Sequence, residues 1–450
     1  MLSLPSTFEP ILLSFSCAFT EPTFQRMLLL CVGGVLARGR KTVTNMIWTM
    51  RGMMDGHFSD YHRVFSRAPW SLWRLGKVLA GWILKLVPEN EPVFVPMDDT
   101  TAQHRGAKVY GKGCHHDAVR SAHSHVVFKW GHRWVVLAIA VKLPFLCRHW
   151  ALPVLVALYK PKELNQKEGR RHKTALDLAR QLLCVLMRWF PQRRFIGLGD
   201  GGFASHELAR FAQRHAPRCT LVSRFHPDAN LYEPPSRKGS RQVGRPPVKG
   251  KKSPSPTAIV KRSRLRHATV GWYGGGKRRV GLVSGVGHWY KGGCGLVAVR
   301  WVYVKDFTGT HRDDWLYSTD INLRPEDIVT FFTRRWCIET TFQEVRAHLG
   351  FETTRQWVAN SVLRTAPVLL GLYSVVCLLF AAMVSKRREV PAAQRPWYAK
   401  AEPTFADAIA EVRRLLWLKT VLKTPHFGRL FKNLRPQAVE SLLEQLSLAA

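Results

Sequence analysis

Four residues at one spacing carry the strongest chemical signal in the chain: Phe332, Arg335, Glu339 and Arg346. The segment 331–349 predicts a single helix. At roughly 100° per residue, these four fall within about 60° of one another on one face. Phe331, Ile338, Phe342, Val345 and Leu349 form an apolar stripe beside them. One flank therefore docks on a core, while the next presents a ring, two guanidinium groups and one carboxylate. A carboxylate between two fixed cations suits a site that holds a metal ion and a phosphate together. The competing reading is an ordinary amphipathic helix with a charged face.

Further acids stand at two strand ends. Asp98-Asp99 closes the run Val93–Met97, and Asp200 closes Arg194–Gly199 just before Gly201-Gly202. Glycines beside a carboxylate let a ligand approach closely. Two Asp and one Glu offer hard oxygen donors of the kind that bind Mg²⁺ while leaving room for water and phosphate. Two such ions about 4 Å apart would activate a water and stabilise a leaving oxygen in phosphoryl transfer. Taken singly, a strand-end Asp more often caps a turn.

The elements that must position these acids follow from pattern. Residues 1–85 read as helical and basic, and a helix-turn-helix around Gly39–Ile47 is one reading of them. Strands are expected at Val93–Met97, then at His125–Trp130 and Trp134–Val141 as a hairpin turning at Gly131-His132-Arg133. Lys173–Phe190 has helical periodicity, Arg194–Gly199 is a short apolar strand, a helix begins near Ala204, and a strand runs over Cys219–Arg224. That order fits an α/β layered fold with a mixed sheet. Residues 225–320 interrupt it, first with a Pro/Gly/Ser-rich basic loop over 232–256. Gly244-Arg245-Pro246-Pro247 in that loop has the character of a minor-groove hook. Strands are then expected at Ala268–Tyr273, Arg279–Val286, Leu296–Lys305 and Trp315–Thr319, before a helix opening near Pro325 with Glu326 and Asp327 in its first turn. After Trp357 the chain reads as helices.

Composition narrows the class. Lys and Arg number 68 against 31 Asp and Glu, a formal charge of +37. A folded chain this basic needs a polyanion, nucleic acid before a membrane surface. With 450 residues and a 46% apolar fraction, two to four domains with a sizeable core are expected. Nine cysteines without a CxxC pair argue for free thiols in a reducing cytosol. Ala366–Val384 approaches membrane-span length but contains Pro367, Gly371, Tyr373 and Ser374, and reads as a core helix. Cys114, His115, His116, His123, His125 and His132 cluster without a repeated finger-spaced pair, which favours basic-loop or DNA-contact histidines over zinc.

The chain resembles a DDE transposase of a bacterial insertion sequence, in the group whose RNase H-like core is interrupted by a β-strand insertion and whose last helix carries Y-x2-R-x3-E-x6-K. Here the helix reads Phe332-x2-Arg335-x3-Glu339-x6-Arg346, with Phe for Tyr and Arg for Lys; Asp99-Thr100-Thr101 and Gly199-Asp200-Gly201-Gly202-Phe203 complete the match. The resemblance implies an α/β, RNase H-like mixed sheet with helices, and helical N- and C-terminal regions. The expected organisation is a helical DNA-binding region at 1–88, the first part of the core at 89–224, the insertion at 225–322, the second part with the catalytic helix at 323–360, and a C-terminal helical region at 361–450. It implies Asp99, Asp200 and Glu339 as catalytic metal ligands, with Asp98 a rival to Asp99 because the motif fits either register. It implies Phe332, Arg335 and Arg346 as DNA contacts, and Mg²⁺ or Mn²⁺ as cofactor. Its partners would be double-stranded DNA, as terminal inverted repeats and target, and a second copy of the chain. The expected location is the cytoplasm, on DNA and not in a membrane. A tryptophan of the insertion, Trp272, Trp289 or Trp301, would hold a flipped base. The alternatives are an RNase H-like nuclease that cuts without joining, and a non-catalytic DNA-binding relative.

Overall fold

The computed structural model describes residues 2–117, 120–121, 124–235, 247–387, 399–422, 424, 428–429 and 434–448. The proposed hook lies, but for Pro247, outside the described residues, as does His123. Five helices open the chain: α1 (Glu9–Leu13), α2 (Glu21–Leu36), α3 (Val43–Thr49), α4 (Phe58–Ser66) and α5 (Leu72–Leu84). Among the described residues, eleven strands then form one sheet: β1 (Val93–Gln103), β2 (Gly113–His116), β3 (Phe128–Val141), β4 (Trp150–Tyr159), β5 (Phe195–Leu198), β6 (Cys219–Arg224), β7 (Leu231–Tyr232), β8 (Arg266–Gly271), β9 (Lys277–Lys291), β10 (Gly295–Asp306) and β11 (Asp314–Ser318). Between them lie α6 (Lys162–Lys167), α7 (Ala175–Trp189), α8 (His206–Arg214) and α9 (Pro256–Arg262), and after them α10 (Pro325–Arg334), α11 (Cys337–Leu349), α12 (Ala359–Arg387) and α13 (Phe405–Leu416).

The centre of the sheet runs β4-β3-β1-β5-β6. β3 is antiparallel to β1 and β4, while β1, β5 and β6 are parallel. This is the strand order and direction of an RNase H-like core. The strands of the interrupting segment do not form a separate sheet. β11 pairs antiparallel with β6, and β10 and β9 extend the same sheet outward.

Period-two alternation divides β1 between two cores. Val93, Val95 and Met97 are fully buried in the larger core, on the face where Met97 and Leu183 of α7 crowd Gly197. Phe94 points the other way. With Ile196, Leu198 and Val222 it forms a smaller core against Ile328, Val329 and Phe332 of α10.

Three expectations are corrected. The hairpin turn at Gly131-His132-Arg133 does not exist, because 128–141 is one strand. Gly131 sits where a Cβ would come within 2.0 Å of the Ala102 carbonyl oxygen, so it serves close strand packing and not a turn. The hairpin partner of β3 is β4, which the sequence pattern did not reveal. Its run is apolar throughout and so lacks alternation, and Pro153 within it falls at a register shift of the ladder. Finally, 331–349 is two helices. At 335–339 the bonding tightens to i→i−3, with Arg335 N–H donating to the Phe332 carbonyl at 3.0 Å and Glu339 N–H to that of Trp336 at 3.1 Å. α12 is long and apolar enough to cross a membrane, yet 72% of its most apolar window is buried inside the protein, where it packs on β4 and α13.

Candidate active site

The parallel register of β1 and β5 sets Pro96 beside Leu198. Two residues further along each strand stand Asp98 and Asp200, on the face that carries Phe94, Ile196 and Leu198. Asp200 keeps extended backbone (φ −83°, ψ −166°) and its Oδ1 accepts the Gly202 N–H at 2.8 Å. The bend between α10 and α11 lies over this edge. Arg335, 7% exposed, donates from Nη1 to Asp98 Oδ2 at 3.0 Å and from Nη2 to Glu339 Oε1 at 2.8 Å. One guanidinium thus ties the strand acid to the helix acid, and its Nε is buried without a partner.

Charge in this cluster is unbalanced. Burial, opposed by Arg335 and reinforced by the Asp200 charge, pushes the Asp98 carboxyl up to about 7. Burial disfavours the Arg335 cation, but Asp98 and Glu339 outweigh that and hold it protonated.

Asp99 belongs to other company. Its two oxygens accept Arg133 Nε at 2.8 Å and Nη2 at 2.5 Å, and the Arg133 guanidinium lies 5.3 Å from the Tyr159 ring centroid. Successive residues of a strand face opposite sides, so only one of the two aspartates can share a face with Glu339, and the geometry brings Asp98 there. Of the residues expected to act, the structure gathers Asp200, Glu339 and Arg335 around Asp98 and turns Asp99 away.

Phe332 is not presented to a ligand either. It is 3% exposed in the smaller core, with the Arg335 and Arg224 cations 5.7 and 5.8 Å from its ring centroid. Its place on the charged face required an unbroken helix, and the ring is needed inside. Arg346 reaches back to β1, donating to the Thr100 hydroxyl and, at 3.2 Å, to the Thr101 carbonyl, while its Nε meets Glu352 Oε1 at 3.2 Å. Trp289 and Trp301 are buried, at 8% and 0% exposure, and Trp272 is half-buried against Tyr273 and His311.

Three neighbours escaped the sequence reading. Arg224, at the end of β6, pairs with Asp314 at the start of β11 at 3.2 Å. Asp314 is raised by its burial, opposed by Arg224. Tyr273, raised by burial and by Asp314, feels both Arg335 and Glu339. All three come from β6 and the interrupting segment, and no spacing within the sequence links them to residue 339.

The donor chemistry fits a divalent cation, since all three acids carry hard oxygens and one arginine leaves their negative charge incompletely neutralised. No preassembled triad is present: among the described residues, no three His, Cys, Asp or Glu side chains lie close enough to share an ion, and Arg335 stands between Asp98 and Glu339.

The profile of the family described as DDE superfamily endonuclease matches residues 14–279, more than half of the chain. A second, described as archaeal putative transposase ISC1217, matches residues 297–378. No curated protein matches the chain. Among solved structures, it is similar to a piggyBac transposase synaptic complex with hairpin DNA, at 12% identity and a TM-score of 0.42, over 99% of this chain and 81% of that one.

Proposed function

The chain belongs to the DDE superfamily of endonucleases, and on that premise we propose that it is a DNA transposase that cleaves element ends and joins the freed 3′-hydroxyl to target DNA. The observation that carries the reading is the Arg335 fork, which collects Asp98 from β1 and Glu339 from α11 beside Asp200. Asp98, Asp200 and Glu339 would hold Mg²⁺ or Mn²⁺, and a bound ion supplies Lewis-acid polarisation of phosphate and a water of lowered pKa. In this reading Asp98 takes the role expected of Asp99, and Asp99 anchors Arg133 instead. Arg335 holds the carboxylates together and can carry over to a phosphate oxygen by a charge-assisted hydrogen bond. Arg346 orients the end of β1 through Thr100 and Thr101, and faces the DNA backbone with the charge that remains. Two element ends require two copies of the chain in the active complex.

The test is to incubate the full chain with Mg²⁺ and a plasmid carrying the DNA that flanks its gene, and to map the products. Paired cuts at the flanks with insertion of the fragment into a second plasmid are expected. Nicks without joined product would replace transposase by nuclease. No metal-dependent cutting at all would overturn the catalytic reading.

A further inference from the structure

Two large exposed aromatic groups lie on one ribbon at the catalytic end of the sheet. β3 runs past β1 and pairs with β2, setting Cys114 opposite Trp130 and His116 opposite Phe128. On the outer face of this pair Phe128 and Trp130 alternate, exposed by 63% and 56%, and Val126 just before the strand is exposed by 56%. His116 meets the Phe128 ring edge-on at 6.1 Å, and Lys112 Nζ lies 5.5 Å from the Trp130 ring centroid. The neighbouring acid, Asp117, is buried and engaged by Lys129 at 3.5 Å, so its charge is not offered to a partner.

The ribbon shares a face with the active site. In the β1–β3 ladder Asp98 stands opposite Val136, Thr100 opposite Trp134 and Ala102 opposite His132, and His104 N–H then bonds the Trp130 carbonyl at 3.0 Å. Even-numbered residues of β3 therefore point to the Asp98 side. Trp130 lies six residues from Val136, about 20 Å along the strand. Trp134 and His132 between them are buried, so the ribbon is a separate platform beyond the carboxylates.

Exposed rings at alternate strand positions, flanked by a lysine in a chain of charge +37, have the composition of a stacking surface for single strands. Bases offer π-faces, and the backbone takes the cation. We propose that the β2–β3 ribbon binds unpaired nucleobases of a DNA strand passing the active site, with Phe128 and Trp130 stacking on the bases and Lys112 near the phosphates. At about 3.4 Å per nucleotide, a strand held at Asp98 reaches Trp130 within about six nucleotides. The assignment rests on the reading of the chain as a DNA-acting enzyme.

The test compares binding of the full chain to a labelled single-stranded 12-mer and to a blunt duplex of the same length. The variants are the double substitution Phe128→Leu with Trp130→Leu, which keeps apolar bulk but removes the ring faces, and Phe128→Tyr with Trp130→Phe, which keeps them. The leucine pair should weaken single-strand binding about tenfold or more and duplex binding less than twofold, and the aromatic pair should match wild type. Unchanged single-strand binding in the leucine pair, equal loss on both DNAs, or a change in oligomeric state would overturn the assignment, the last because the face would then join copies of the chain. If wild type binds the duplex and the leucine pair is silent, only the ribbon falls. If wild type binds neither DNA, the DNA-acting reading falls with it.

Discussion

The two faces of the central sheet are built for different ends. Under α7, β1 and β5 contribute Val93, Val95, Met97 and Phe195, none above 1% exposed, and a methyl group added at Gly197 would come 3.1 Å from Met97 Cε. Under α10 the same strands contribute Phe94, Ile196 and Leu198 to a much smaller core, which stops at Phe332. Where it stops, the next outward positions of that face are Asp98 and Asp200. The closed face supplies packing. The thinner face tolerates a partly buried acid that repels its neighbour, and the proposed site lies at the margin where apolar contacts give way to charge.

The sharpest way to break that contrast is to neutralise each adjacent aspartate. Asp98→Asn should reduce single-turnover DNA cleavage by a factor of about 10²–10³, the loss expected when a ligand of the charge-stabilising ion is removed. Asp99→Asn should keep most of the cleavage and instead loosen the Arg133 pair. If Asp99→Asn is dead and Asp98→Asn is active, the faces have been assigned the wrong way round.

Arg335→Ala should lower stability in chelator by about 3–5 kcal/mol, because it strands two partly buried carboxylates that now share a cation. Added Mg²⁺ should recover part of the loss in thermal melts, and a variant as stable as wild type in chelator would show that the fork is not formed. Phe332→Ala should cost about 3–4 kcal/mol by opening a cavity in the smaller core, with Phe332→Leu recovering much of it. If denaturant midpoints leave Phe332→Ala untouched, the ring is not packed as described.

A smaller effect separates the faces by pH. The Asp98 carboxyl titrates at about 7 in the folded chain, against an ordinary aspartate value of 3.8. The folded state therefore holds a proton that the unfolded chain releases, and the associated stability is present below about pH 4 and is lost as pH rises through about 7. In chelator, Asp98→Asn should melt above wild type at pH 8 and close to it at pH 4. Failure of Asp98→Asn to gain stability over wild type between pH 4 and pH 8 would remove the buried-acid reading of that face. The mildest change is expected of Arg346→Ala, which should weaken duplex binding and reduce the log–log salt slope by about 1; an unchanged slope would mean that Arg346 serves only Thr100 and Thr101.

Much of this was legible in the sequence. The strands at 93, 195 and 219, the helix within 173–190 and the four strands after residue 265 all follow from local alternation, helical periodicity and turn residues, which act over a few positions. The acids at 98–99, 200 and 339 stood out for the same reason. Alternation also required Asp98 and Asp99 to face opposite sides. It could not say which side meets Glu339, because that depends on α10 and α11 packing over the sheet some 240 residues later in the chain. β4 was hidden by being apolar on both faces, and Gly131 passed for a turn until Ala102 was beside it. The bend at Arg335, the burial of Phe332 and the approach of Arg224, Tyr273 and Asp314 are likewise decided by what the helix pair and the added strands must cover. Local pattern set which residues could do chemistry; long-range packing, which no spacing encodes, chose among them.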